Sequence, residues 1–172
     1  TNGGFENGDD ELFPVVSSNS ACSVVTGDGN VKDGDYALMV TPGASNAWVN
    51  IGTNVEWQID RKYKYEFDIK VLNFANGAAV TSGTADLRSL VYFPDSNATK
   101  GAQHSGYINS ALPVGEWQHV EGYIDLDAIT SNSGKGIASD ADLTDGVFAF
   151  FFIHVSNQNY NYIIDNISLV RL

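Results

Sequence analysis

Lys62-Tyr63-Lys64-Tyr65-Glu66-Phe67-Asp68-Ile69-Lys70-Val71 is the stretch whose reading decides the fold. Successive side chains of a strand point to opposite faces. Tyr63, Tyr65, Phe67, Ile69 and Val71 therefore share one face, and Lys64, Glu66, Asp68 and Lys70 the other. The alternation describes a strand with one buried and one wet face. On its N-terminal side, an edge element is expected at 3–13. Strands follow at 36–41, opened by the turn Lys32-Asp33-Gly34-Asp35, and at 47–52. On its C-terminal side, strands are expected at 86–93, at 117–126 after the turn Pro113-Val114-Gly115, at 147–156 and at 160–170. The run at 147–156 is nearly all apolar, as a central strand covered on both sides would be.

Turn-rich segments at 73–77, 94–106 and 130–145 separate these runs. The last two are long and rich in Ser, Asn and Gly, the composition of binding loops on a β scaffold. A short helix is expected at 125–129 or 141–143. No repeat and no linker divides residues 1–172, so the expectation is one all-β domain, a two-sheet β-sandwich of jelly-roll type.

The 172 residues are enough for one domain with a substantial core, and 43% are hydrophobic against 17% charged. The formal net charge of −12 leaves no basic stripe for nucleic acid and disfavours an anionic membrane surface. A neutral ligand is compatible with it. Cys22 is the only cysteine, so no intrachain disulfide forms. No apolar run reaches membrane-spanning length. No signal peptide is seen, and the start at Thr1-Asn2-Gly3-Gly4-Phe5 reads as a processed or excised domain. Asn97-Ala98-Thr99 and Asn166-Ile167-Ser168 match the glycosylation sequon, a match that is frequent by chance.

Enzyme templates fit poorly. There is no Gly-x-Ser-x-Gly for a serine nucleophile. His104, His119 and His154 are too dispersed for a zinc motif. Glu116 and Glu121 are the candidate carboxylate pair of a glycosidase, but one sits in a turn and the other on a solvated face. Calcium suits the chain better, since it takes oxygens from carboxylates and carbonyls. Glu6, Asp33, Asp35 and Asp165 meet if the first and last segments run side by side, as they do in jelly rolls. Asp165 lies between Ile163-Ile164 and Ile167, where an ionised carboxylate needs compensation. Either a cation or backbone or lysine hydrogen bonds would supply it.

Parity also defines a ligand face. In Asn46-Ala47-Trp48-Val49-Asn50-Ile51, the residues Ala47, Val49 and Ile51 read as core, which leaves Trp48 and Asn50 together on the other face. An indole beside an amide suits a flat ligand with an apolar face and a polar rim, such as a pyranose ring. The alternative is that a loop or a second sheet covers Trp48. Arg88 and Tyr92 share a face, and so do His154 and Ser156 if Ile153 and Val155 point to the core. Trp57 and Trp117 read as packing residues.

Four short motifs carry a resemblance: Asn2-Gly3-Gly4-Phe5-Glu6, Asp33-Gly34-Asp35-Tyr36-Ala37-Leu38, Gly115-Glu116-Trp117-Gln118 and Tyr162-Ile163-Ile164-Asp165-Asn166-Ile167. In order and spacing the chain resembles carbohydrate-binding modules of the family 4, 9 and 22 group. Asn46-Ala47-Trp48 and Ile153-His154-Val155 are similar to segments of the xylan-binding family 4 modules of bacterial xylanases. The resemblance implies a calcium-containing jelly roll, non-catalytic and covalently linked to a glycoside hydrolase, with a concave ligand-binding sheet. It implies that Trp48 and His154 line the cleft. It also implies calcium ligands at Glu6, Asp33 and Asp165, with the carbonyls of Gly4 and Tyr36.

Where those modules carry a cleft glutamate, this chain has Asn50-Ile51. Tyr92, Phe93 and Tyr107 compete for the second aromatic platform, and Asn50, Arg88, Gln103, His104 and His154 are the expected polar contacts. The expectation is thus an extracellular bacterial monomer that binds internal stretches of xylan and targets an attached xylanase. The alternatives are a β-1,3- or mixed-linkage glucan ligand, a structural spacer, or a small glycosidase.

Overall fold

The structure is a computed structural model. It describes residues 5–8, 15–18, 20–42, 47–52, 55–58, 60–74, 84–92, 107–125, 147–154 and 160–172. Among the described residues ten strands form: β1 (Val15–Ser18), β2 (Ser20–Thr26), β3 (Tyr36–Pro42), β4 (Ala47–Gly52), β5 (Lys62–Phe74), β6 (Thr84–Tyr92), β7 (Tyr107–Pro113), β8 (Trp117–Asp125), β9 (Val147–His154) and β10 (Tyr160–Arg171). They make two five-stranded sheets, β1-β4-β9-β6-β7 and β2-β3-β10-β5-β8. Every strand pairing is antiparallel. The all-β sandwich expected from the alternation is the fold observed.

The second sheet is built on β5. Tyr63, Tyr65, Phe67, Ile69 and Val71 are all buried, as their parity requires. Burial of a large apolar side chain contributes about 1.5–3 kcal/mol, so this one strand anchors much of the core. Val49 and Ile51 of β4 meet it from the other sheet, and one cluster joins them with Leu38, Val40, Tyr162, Ile164, Phe5 and Trp57. Trp57 packs against Tyr63 with ring centroids 4.5 Å apart, as a packing tryptophan should. Trp117 is half-buried at the start of edge strand β8, with the Lys70 ammonium 5.9 Å from its ring centroid.

Close fit governs the β5–β8 seam. Tyr65 is paired with Gly122, and a Cβ at Gly122 would strike the Tyr65 hydroxyl. Asp68 departs from the expected wet face. It is only 6% exposed, because β10 and His119 crowd its carboxylate.

β10 changes phase midway. Tyr160, Tyr162 and Ile164 are buried upstream, and Ile167 and Leu169 downstream. The shift from even to odd occurs at a bulge between Asp165 and Ser168, where Asn166 adopts a left-handed φ of 52°. An extra residue in one strand of a pair produces such a phase change.

Three strands escape the sequence patterns. β1 and β2 are short edge strands, β2 being rich in Ser and without a fully buried residue, and β7 lacks a clean alternation. Within the expected edge element at 3–13, the described residues Phe5 to Gly8 form a turn instead, closed by Gly8 N donating to Phe5 O at 2.8 Å. Asp125 ends β8, and the rest of the expected helices at 125–129 and 141–143 lies outside the described residues, as do the loops 94–106 and 130–145.

Candidate functional site

The register of the first sheet sorts the candidate ligand residues. Residues directly opposite in an antiparallel pair lie on the same face. Trp48 pairs with Phe151, Phe151 with Arg88, and Arg88 with Tyr107. These four residues form one row across β4, β9, β6 and β7. Strands lie about 4.8 Å apart, so the row spans roughly 14 Å. Val49 and Ile51, the alternate residues of β4, are completely buried. The row therefore falls on the face of the sheet away from the core.

Asn50 heads the next row, opposite Ser17 on one side and Ala149 on the other, with Leu90 beyond. Tyr92 has the same parity but lies two rows from Arg88, paired with Val147. Of the three candidates for a second platform, Tyr107 is the one in register with Trp48. Phe93, Gln103 and His104 lie outside the described residues.

His154 falls on the other parity. It pairs with Ala85 and belongs to the series Phe148, Phe150 and Phe152, whose partners are Ile51, Val49 and Ala47. Ile153 takes the parity of Trp48, opposite Asp86. The sequence expectation puts Ile153 on the core face and His154 on the ligand face, whereas the register gives the two residues the opposite parity. The physical reason is that 147–153 is apolar at every position, so alternation carries no phase there. For the same reason the sequence does not single out Phe151. Only its pairing with Trp48 identifies it.

A second constellation gathers at the β10 bulge. Asp165 is fully buried and its carboxylate accepts three backbone N–H groups: Lys32 at 2.8 Å, Asp33 at 3.3 Å and Asn166 at 2.7 Å. Glu6 reaches the same loop, accepting from Asp35 N at 2.8 Å. Its Oε1 is buried with no hydrogen-bond partner among the described residues. Asp33 Oδ2 accepts from the Asn166 side-chain amide at 3.1 Å. The Tyr36 ring packs on the turn that carries Glu6, since a Cβ at Gly8 would meet its Cε1 at 3.2 Å. Glu6, Asp33 and Asp165 thus border one loop and Tyr36 packs beside it, but the ligand atoms of the three carboxylates do not all come within 4.8 Å of one another, and Gly4 lies outside the described residues.

Burial pushes the Asp165 carboxyl above the usual carboxylate range. The three N–H donors oppose that shift and the charge of Glu6 adds to it. No Lys or Arg side chain pairs with Glu6, Asp33 or Asp165 among the described residues. Backbone donors compensate Asp165 in part, yet a partnerless Glu6 oxygen and a third carboxylate remain. The donors are all oxygens with excess negative charge, the chemistry that a hard cation takes, but the carboxylates do not converge on one point in this structure.

The outer face of β5 and β8 holds another acidic group, with ligand atoms of Glu66, His119 and Glu121 within 4.8 Å of one another. Lys64 already sits among them. Its Nζ bonds Glu66 and lies 3.0 Å from Glu121. These two contacts hold the lysine above its ordinary range and Glu121 below its own. The ammonium is the cation of that group.

No family model and no curated protein matches the chain. Solved structures do match in fold. A family 61 carbohydrate-binding module in complex with β-1,4-galactotriose is 16% identical, with a TM-score of 0.52 over 98% of this chain and 94% of that one. The family 22 and catalytic modules of a Clostridium thermocellum xylanase, complexed with xylohexaose, give 13% identity and a TM-score of 0.58 over 94% of this chain. This chain spans only 28% of that xylanase chain. A Clostridium thermocellum family 11 module in complex with a β-1,3-1,4-mixed-linked tetrasaccharide gives 15% identity and a TM-score of 0.53, covering 90% of this chain and 84% of that one. At these identities the likeness is one of architecture: the chain shares the β-sandwich of carbohydrate-binding modules.

Proposed function

We propose that the chain is a non-catalytic carbohydrate-binding module that takes internal stretches of soluble xylan and brings an attached glycoside hydrolase to its substrate. The observation that carries this reading is the Trp48–Phe151–Arg88–Tyr107 row on the outward face of the first sheet. Three aromatic residues and an arginine fall in register across four strands, and these residue types suit a sugar chain, which takes apolar platforms and a hydrogen-bonding group. A sugar chain lying along the row runs across the strands. Each platform adds about 1 kcal/mol beyond area burial, by analogy with aromatic pairs. Arg88 and Asn50 bond ring hydroxyls for a net gain of about 0.5–1.5 kcal/mol each, so the affinity is modest. Tethering to a catalytic domain raises the enzyme's effective concentration on the polymer. The setting is extracellular and bacterial, and the module acts as a monomer.

Calcium belongs to this proposal as a structural ion held by Glu6, Asp33 and Asp165, with the carbonyls of Tyr36 and Gly4. Bound there, it supplies the positive charge that the three carboxylates lack. Chelation by EDTA is expected to lower the melting temperature, and an unchanged melting curve removes the ion from the account.

The test of the ligand is calorimetric titration with xylohexaose, cellohexaose and laminarihexaose in parallel. Heat with xylohexaose alone supports the xylan reading. The likeness to a module complexed with a mixed-linked tetrasaccharide supports a second reading, a β-1,3- or mixed-linkage glucan. Heat with a glucan oligomer in place of xylohexaose selects it. Silence with all three turns the row into a spacer surface.

A further inference from the structure

We infer that Asp86 is a specificity-determining residue of the proposed sugar face, the acceptor that takes hydroxyls at one edge of the bound chain. The inference rests on the proposed function and deepens it. Among the residues of β1, β4, β6, β7 and β9, Asp86 and Arg88 are the only Asp, Glu, Lys or Arg. Asp86 pairs with Ile153, two residues from Phe151 along β9, so it takes the parity of Arg88 and falls on the face away from the core. Two residues of antiparallel strand put it about 7 Å from the Trp48–Phe151–Arg88–Tyr107 row. Asn50 lies on the other side of that row. β4 and β6 both run antiparallel to β9, and Asn50 follows Trp48 as Leu90 follows Arg88. An amide residue thus flanks the row on one side and a carboxylate residue on the other. The ladder is irregular at Asp86. Ala85 pairs with Leu112 and Leu87 with Ile108, so two steps of β6 face four of β7. Asn109 and Ser110 fall within that stretch. Extra residues of this kind bend a strand and are frequent beside functional sites.

The residue type decides what is read. A pyranose resting on an aromatic platform presents its equatorial hydroxyls sideways, near the plane of the ring. An ionised carboxylate only accepts, and its two oxygens take two neighbouring O–H groups at once. A guanidinium only donates, so Arg88 suits the lone pairs of sugar oxygens. The two residues together accept and donate, as a hydroxyl-rich ligand requires. Their charges cancel, so the face still suits a neutral chain. Hydrogen bonds to an ionised group are about twice as strong as neutral ones. A desolvated acceptor left without its donor penalises the ligand that lacks the hydroxyl. Asp86 therefore selects stretches of chain whose ring hydroxyls are free, and disfavours stretches whose hydroxyls carry acyl groups.

The experiment is calorimetric titration of the parent, Asp86→Asn and Asp86→Ala with the oligosaccharide that the parent binds, xylohexaose on the proposed reading, and with its partly O-acetylated form. Melting curves are recorded alongside. The parent is expected to prefer the free oligosaccharide. Both variants are expected to lose about 10-fold or more in affinity for it, and to bind the acetylated form much as the parent does. Unchanged affinity for the free form in both variants overturns the inference and leaves the proposed function standing. A loss by the same factor for both forms also overturns it, because a residue that acts only by holding Arg88 or the strand behaves that way. A parent silent with every oligosaccharide overturns the proposed function, and the inference falls with it. If neither variant folds, the parent decides alone, and equal affinity for the free and acetylated forms counts against the inference.

Discussion

Gly34 is the residue at which the acidic cluster tolerates least change. Its φ is 80°, and a Cβ there would fall inside the Glu6 carboxylate. Gly34→Ala therefore adds left-handed strain of about 1–2 kcal/mol and displaces a proposed ligand. A lower melting temperature and weaker calcium binding are expected together, checked by thermal melts at several calcium concentrations. Burial sets the sense in which Asp165 titrates. Its folded value is raised by burial, so its contribution to stability is full below the ordinary carboxylate range and is lost as pH rises through the raised value. In EDTA, the parent should lose melting temperature as pH rises above the ordinary carboxylate range, and Asp165→Asn should lose this part of the slope. Saturating calcium should offset the loss in the parent alone. Equal slopes in parent and variant, with or without calcium, would falsify this assignment. The sequence marks Asp165 by its apolar neighbours, but it does not mark Asn166. A left-handed bulge and the donors it brings appear only once two strands are paired.

Among the elements, β5 shows where alternation is informative and β9 where it is not. All five aromatic and aliphatic residues that the pattern assigns to the core of β5 are buried. β9 is apolar throughout its first seven residues, so its phase depends on β4 and β6. The register yields a paired prediction. Phe151→Ala should weaken oligosaccharide binding at least as much as Tyr92→Ala, because Phe151 adjoins Trp48 in the row. His154→Ala should leave affinity nearly unchanged and act on stability. Titration calorimetry and thermal melts on the same variants separate the two effects, and the reverse pattern would reject the register. Gly122→Ala tests the other sheet. Overpacking a core position costs about 1–3 kcal/mol, and here the new methyl meets the Tyr65 hydroxyl. A clear fall in the denaturant midpoint is expected, with the oligosaccharide affinity of the folded fraction retained.

At the scale of the whole molecule, the charge of −12 and the proposed neutral ligand together fix a salt response. Screening acts on charge pairs and hardly on stacking against a neutral sugar. Affinity for the preferred oligosaccharide should change by less than about two-fold between low and high salt, measured by titration at both. A steep salt dependence would point to an acidic or charged ligand. The sandwich itself is legible from composition and alternation, whereas the assignment of short edge strands is not. β1 and β2 carry Ser at several positions, and β2 has no fully buried residue, so they give no strong pattern.

Those edges have a consequence of their own. β1 and β2 are the outer strands of opposite sheets on one flank, with only residue 19 between them, and β7 and β8 are the outer strands on the other, joined through Val114, Gly115 and Glu116. The second junction is fastened to β5, where Gly115 N donates to Val71 O at 2.7 Å. On both flanks the backbone itself crosses from sheet to sheet. In mechanical terms the molecule is a flattened tube sewn along both seams. Pulling the sheets apart loads covalent chain before it loads the core, and a foreign strand seeking an open edge meets a strand beside a fold in the chain.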